Sequence, residues 1–341
     1  MARRISVGIS VSFQNPAQWR IPWPALYDET LEFIQAAEAL GIDEVWLSAH
    51  HFADDGTCPS LLPVAAAIAA KTSRIRIGTK VMLLPFHNPV RLAEDAAVVD
   101  ILSNGRLDLG LGAGYRPAEF DGFGIARSER AARMDEGLSV LRQALSGEAF
   151  EHHGRFYDLG PLKIMPPPSQ QPLPLWLGGR SAAAMQRAAR NGCHLQLADF
   201  ILEHAVSDYA HYQEALRSIR AEPSDFAVAA VATAFLDEDR DRAWQTAAEH
   251  LLYQQNLYQR WFTEASDRPG DRYEPMVTAS QLKRGSYLIG DPDDVLQQLR
   301  DYHRQVPFTH ISVWMLLPGM RLAPALRSLE LFCRRVLPAL G

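Results

Sequence analysis

Residues 74–124 read RIRIGTKVMLLPFHNPVRLAEDAAVVDILSNGRLDLGLGAGYRPAEFDGFG. Ile75 and Ile77 alternate with Arg76 and Gly78, and the apolar run that follows ends at Pro85, which predicts a buried strand and its exit. Asn88-Pro89 predicts a helix start, because proline in the first turn gives up an N–H that has no helical partner. Leu92, Ala96, Val99 and Leu102 recur at helical spacing, and Asn104-Gly105 supplies a left-handed stop. Leu107, Leu109 and Leu111 then alternate with Asp108, Gly110 and Gly112 before Gly114-Tyr115. Two strands joined through a helix within about 40 residues form a βαβ unit, so they run parallel, and the glycine-rich exit of the second is the place to look for a ligand.

The same punctuation extends in both directions. Upstream, Ile5, Val7, Ile9, Val11 and Phe13 share one face of a strand and Ser6, Gly8, Ser10 and Ser12 the other. A helix is predicted over residues 25–40, a strand over 43–48 leading to Ala49-His50-His51-Phe52, and a helix from Pro59-Ser60 to Lys71. Downstream, Ser128 is the predicted cap of a helix carrying Met134, Leu138, Leu141 and Leu145. The pattern breaks over 150–174 into a short hairpin and a proline-rich crossing. Strands follow at 175–177, 193–197, 226–235 and 310–316. Helices are predicted over 181–192, 202–220 and 322–337, with a strong start at Gly290-Asp291-Pro292. Eight strands interleaved with helices and no dividing linker predict one domain, residues 1–341, with the α/β fold of a (β/α)8 TIM barrel. An insertion holding at least one helix is predicted around 237–288, where the run YQQNLYQRW gives no clean signal. A doubly wound open sheet is the second architecture.

Composition narrows the function. The 341 residues carry a net charge of -6 with both signs mixed, which gives no reason to expect nucleic acid or an anionic membrane as partner. Cys58, Cys193 and Cys333 are far apart and odd in number, so free thiols in a reducing cytoplasm are expected. Ser6, Gly8, Ser10 and Ser12 interrupt the N-terminal apolar residues as a strand does and a secretory leader does not. No apolar run reaches the roughly 18 residues of a membrane span.

In such a barrel the ligand site lies at the C-terminal ends of the strands. His50 leaves the second strand there, where an imidazole moves protons near neutral pH; a histidine bonded to loop backbone is the plainer alternative. A metal set of His50 or His51 with Asp54 and Asp55 is disfavoured, because neighbouring histidines on a strand point apart. Gly178-Gly179-Arg180-Ser181 follows a strand and opens a helix, which suits a phosphate or an ordinary βα turn capped by serine. Gly110, Gly112 and Gly114 would let a flat ring approach the backbone, but no acid follows at dinucleotide distance. Trp314 walls a pocket or packs in the core. Arg130 and Arg133 form a solvated face or a second anion anchor, and His152-His153 is assigned a structural role.

With these residues placed, the chain resembles the bacterial luciferase-like family of flavin-dependent monooxygenases and oxidoreductases. The resemblance rests on VWLSAHHF (45–52), IGTKVMLLPFHNPVRLAEDAAVVDILSNGRLDLGLGAGY (77–115), PAEFDGFG (117–124), PLWLGGRS and GDPDDV. It implies a barrel that binds reduced FMN, or in one branch F420, at its mouth. It places the family histidine that supports the flavin hydroperoxide on His50. A non-prolyl cis peptide falls near Lys80-Val81, beside the flavin ring, with Gly112, Gly114 and Tyr115 at its edge. Gly179, Arg180 and Ser181 fall on the flavin phosphate, with Gly178 beside them as a cofactor-binding candidate. His51 and Trp314, nominated by their place at strand ends, are the candidate substrate-pocket residues. Two departures stand out: the family's Glu-His-His is Ala49-His50-His51 here, and the reactive cysteine of luciferase itself is Gly112, so light emission is not implied. The expected activity is oxygenation of a small organic substrate with O2, using reduced FMN from a separate flavin reductase, in a homodimer joined through the helices after strands two and three. F420-dependent hydride transfer, a flavin-binding protein without catalysis, and a metal-dependent barrel hydrolase are the alternatives.

Overall fold

A computed structural model describes residues 4–197, 202–266 and 271–340. Among these, eight parallel strands close into a barrel: β1 (Ser6–Val11), β2 (Glu44–Leu47), β3 (Arg76–Thr79), β4 (Leu107–Gly112), β5 (Leu175–Gly179), β6 (His194–Leu197), β7 (Val228–Leu236) and β8 (His310–Trp314). Each strand pairs with the next, and β8 returns to β1 with Val313 opposite Ile9. That last pairing excludes the open sheet. The helices are α1 (Trp23–Ala39), α2 (Leu61–Lys71), α3 (Pro89–Leu102), α4 (Pro117–Gly122), α5 (Arg130–Ala144), α6 (Ala182–Arg190), α7 (Leu202–Ser218), α8 (Arg240–Ala265), α9 (Pro292–Gln305) and α10 (Leu322–Arg335).

The punctuation read from the sequence acts where expected. The Asn88 side chain accepts from the N–H groups of Val90 and Arg91, and that of Asp291 from Asp293 and Asp294. Asn104 and Gly105 end α3 at φ 56° and 76°, the left-handed region. Two details differ, at Ser128 and at the exit of β3, and two regions gain definition. Ser128 does not cap α5: a 3-10 turn, Arg127–Glu129, precedes it and puts Glu129 at the N-cap position, with no side-chain capping bond. The exit of β3 is a separate two-residue strand, Met82–Leu83, paired with the end of β4. Residues 150–162 form an antiparallel hairpin, and cis bonds at Met165-Pro166 and Gln171-Pro172 shape the crossing that follows. The region 237–288 is dominated by α8, whose 26 residues include the whole YQQNLYQRW run.

Val7, Ile9 and Val11 are buried outside the barrel against its helices, as the alternation in β1 predicts. Inside, large side chains lie opposite glycines. A Cβ on Gly78 would stand 2.1 Å from the Trp46 ring, and one on Gly110 would stand 1.9 Å from the Thr79 carbonyl oxygen and 2.8 Å from the Gln196 amide. The base of the bore is polar. Ser6 Oγ (2.6 Å) and Trp46 Nε1 (2.8 Å) donate to buried Glu44, while Arg76 Nε (2.7 Å) and Trp176 Nε1 (3.2 Å) donate to Asp108. Burial, with Asp108 nearby, pushes the Glu44 carboxyl up to about 7.

A methyl group at Gly110 therefore has nowhere to go, whereas Gly160 on the hairpin faces open space. Gly110→Ala is expected to cost about 2–3 kcal/mol by overpacking and Gly160→Ala to stay within about 0.5 kcal/mol. Urea midpoints check this, and equal midpoints for the two variants would refute the packing account.

Candidate active site

The C-terminal ends of the strands open at one end of the barrel, and His50 and His51 leave β2 there. Ahead of α4, Arg116 occupies the N-cap position and Pro117 the first helical position, which puts Glu119 in the first turn, the end of a helix that favours a negative charge. Glu119 is wholly buried. Its Oε1 lies 2.9 Å from His50 Nδ1, accepts the His51 backbone N–H at 3.0 Å and has Arg116 Nη1 at 4.0 Å. Arg116 in turn donates to the His51 carbonyl (2.7 Å) and lies over the Trp261 ring at 4.5 Å. The mouth thus holds a buried carboxylate from α4, whereas Ala49 packs in the hydrophobic core.

The imidazole of His50 sits in an aromatic box. Trp261 is 4.4 Å away between ring centroids, Tyr115 5.8 Å and Tyr258 5.9 Å. Phe262 stacks on Tyr115 at 5.0 Å, and the Arg180 guanidinium lies 5.1 Å from the Phe262 ring. Tyr258, Trp261 and Phe262 all belong to the last turns of α8, which cover the mouth. Burial raises the Tyr115 phenol well above its ordinary value and pushes Tyr258 up to about 12, so both stay protonated. His51 points the other way, against Phe86, Phe123 and Phe52, and burial lowers its imidazole below the usual value.

The floor of the mouth is built at the Lys80-Val81 bond, which is cis. Val81 fills the space beside two glycines: a Cβ on Gly112 would stand 2.6 Å from its Cγ2, and one on Gly178 2.8 Å from its Cγ1. The room that Gly110 and Gly112 leave is therefore used by protein side chains, and Gly114, at φ 76°, turns the chain against Phe120. Lys80 reaches into the bore, where Nζ donates to Ser312 Oγ at 2.9 Å, and burial brings its ammonium down to about 7. Gln196 Nε2 donates to the Thr79 carbonyl at 3.1 Å, while Gln196 Oε1 and Tyr115 Oη are buried without a hydrogen-bond partner.

At the rim, Ser181 caps α6, its Oγ accepting the Ala184 N–H at 3.2 Å. A Cβ on Gly179 would come within 2.5 Å of the Ala184 Cβ, so the turn requires glycine. Arg180 Nη2 lies 2.9 Å from His204 Nδ1. An exposed helix start beside an arginine and a histidine fits a phosphate, and the half-buried Val81 beside two glycines leaves an apolar side chain for a flat ring to rest on. The residues present therefore fit a phosphate-bearing flavin.

The fold brings His50, Tyr115, Val81, Gly112 and the segment 178–181 to one end of the barrel. The other residues considered lie elsewhere. Trp314 is packed in the core, in a wall between Ser10 and Thr233. Asp55 accepts from Gln14 Nε2 and Tyr253 Oη, each at 2.9 Å, and from Thr57, so it belongs to no histidine cluster. Among the described residues no group of three or more His, Cys, Asp or Glu is placed to hold a metal. Arg133 pairs with Glu129, Arg130 donates to the Arg127 carbonyl, and His152 and His153 pair with Glu136 and Asp158. Sequence reading missed Glu119, Arg116, Tyr258, Trp261 and Phe262. The spacing Leu251, Gln254, Leu257, Trp261, all buried, was the available helical signal in α8.

A family model described as "Luciferase-like monooxygenase" matches residues 6–307. The oxygenase component of a flavin-dependent trigonelline monooxygenase from Acinetobacter baylyi is 27% identical, with 92% of this chain and 90% of that protein covered. An F420-dependent glucose-6-phosphate dehydrogenase from Amycolatopsis mediterranei is 26% identical, covering 80% and 84%. The crystal structure of monooxygenase RslO1 from Streptomyces bottropensis superposes with a TM-score of 0.86 at 26% identity, covering 99% of this chain and all of that one.

Lys80 has a pH signature. Its folded value, about 7, lies below the ordinary 10.5, so between those limits the unfolded chain binds more protons and stability rises with pH. Relative to Lys80→Met, the wild type is expected to gain stability from about pH 7 to pH 10. Parallel pH–stability curves for the two proteins would place the ammonium in solvent.

Proposed function

The chain belongs to the luciferase-like monooxygenase family, and on that footing we propose that it is the oxygenase half of a two-component system. It takes reduced FMN from a separate flavin reductase and uses O2 to oxygenate a small organic substrate. The observation that carries this reading is His50, held by a buried carboxylate inside an aromatic box that shields it from water. Bound reduced flavin supplies the electrons that activate O2. The protein residues do the rest. Val81, Gly112 and Gly178 seat the ring, and Arg180 with the start of α6 holds the phosphate. Tyr115, Tyr258 and Trp261 exclude water, and His50 moves a proton to or from the reacting oxygen.

Two measurements test this. In binding titrations FMN should bind and F420 should not, and Arg180→Ala should weaken FMN about tenfold, the worth of one charge-assisted hydrogen bond, while leaving riboflavin affinity unchanged. Tight F420 binding with no response to FMN would overturn the cofactor assignment in favour of hydride transfer. In oxygen-consumption assays with reduced FMN across a substrate panel, His50→Ala should lower kcat about a hundredfold, the low end of general acid–base catalysis. An unchanged rate would remove His50 from the mechanism.

A further inference from the structure

We infer that Glu119 is a positioning residue that fixes the tautomer of His50, with Nδ1–H donated to the carboxylate and Nε2 left unprotonated for the reacting group. This rests on the reading of His50 as the proton-transfer residue and adds the group that sets its direction. The argument is geometric. Glu119 Oε1 accepts a backbone N–H, that of His51, whose donor role no tautomer can reverse, and a guanidinium stands 4.0 Å from the same oxygen. An oxygen that is an acceptor on both those sides leaves the donor role to His50 Nδ1, 2.9 Å away. Nε2 makes no hydrogen bond with any described residue and belongs to a ring enclosed by Trp261, Tyr115 and Tyr258.

The consequence is a histidine with one assignment per nitrogen. When a bound O–H gives up its proton, the proton goes to Nε2, its electron pair stays on the oxygen, and the imidazolium that forms is balanced by Glu119. The reverse transfer restores the neutral ring. A histidine without the carboxylate would rest mainly with its proton on Nε2, facing the reacting group with a donor instead of an acceptor. Glu119 is set 69 residues from His50 in the chain and touches only the inner side of the ring, so it acts through His50.

The test uses the full-length protein labelled with 15N-histidine at about pH 8, where an ordinary imidazole is neutral. The 11 histidines are sorted by the signal that His50→Ala removes. The wild type should show His50 as the Nδ1–H form. Glu119→Met should convert it mostly to the Nε2–H form and lower kcat at least tenfold, with FMN affinity within twofold. Glu119→Gln, whose amide oxygen can still accept from both N–H groups, should keep more of the Nδ1–H form and more of the activity than Glu119→Met. A wild-type His50 protonated on Nε2 overturns the inference without any variant, as does a tautomer that Glu119→Met leaves unchanged. The tautomer is read without flavin or substrate. A protein with the expected tautomer but no flavin-dependent oxygenation would therefore defeat the proposed function and leave the Glu119–His50 arrangement standing.

Discussion

Everything at the mouth depends on how the barrel bore is filled. An eight-stranded barrel has room inside for side chains and little else, and here large inward residues are matched by glycines across from them. Trp46 lies over Gly78, Gln196 against Gly110, and Val81 between Gly112 and Gly178. The glycines that suggest a ligand loop in the sequence are first a packing solution. Val81 fits beside two of them, so the residue at the cis bond is held by the same steric complementarity that lets the strands close.

The second organising element is a single carboxylate. Glu119 ties the His50 ring and the backbone after it to the start of α4, where Arg116, itself bonded to the His51 carbonyl, carries the contact on to Trp261 of α8. A buried carboxylate is costly to desolvate unless its partners are in place; here Oε1 takes them from the loop after β2 and the start of α4, while Oε2 is buried with no hydrogen-bond partner among the described residues. The family's usual acid at position 49 is alanine in this chain, yet the mouth still contains a buried acid within hydrogen-bonding distance of its histidine.

The barrel was legible because its punctuation is local. Asn88-Pro89, Asn104-Gly105 and Gly290-Asp291-Pro292 state their helix ends within a few residues, and the two-residue alternation in β1 states its two faces. Ser128 misled because a 3-10 turn placed Glu129 at the position where a capping residue was expected. The resemblance placed His50, the cis bond and the segment 178–181, but contacts between distant segments could not be read from it. Glu119 lies in a quoted motif, and its partner is 69 residues away. The YQQNLYQRW run lacked a clean apolar stripe because its buried face carries Gln254 with Leu257 and Trp261, and Tyr258 beside them also turns its ring to His50. His51 packs against Phe86 and Phe123 and not beside the His50 ring, since adjacent residues leaving a strand diverge and only one of them can enter a given cavity.

Asp55 gives the mouth a mechanical character. Its carboxylate holds Gln14 from the loop after β1, Thr57 from the loop that also carries His50, and Tyr253 from the middle of α8. The helix over the mouth and the loops after β1 and β2 are therefore bolted together at one point. The rings that enclose His50 belong to a helix pinned to the loop that bears it, so cover and histidine share one anchor.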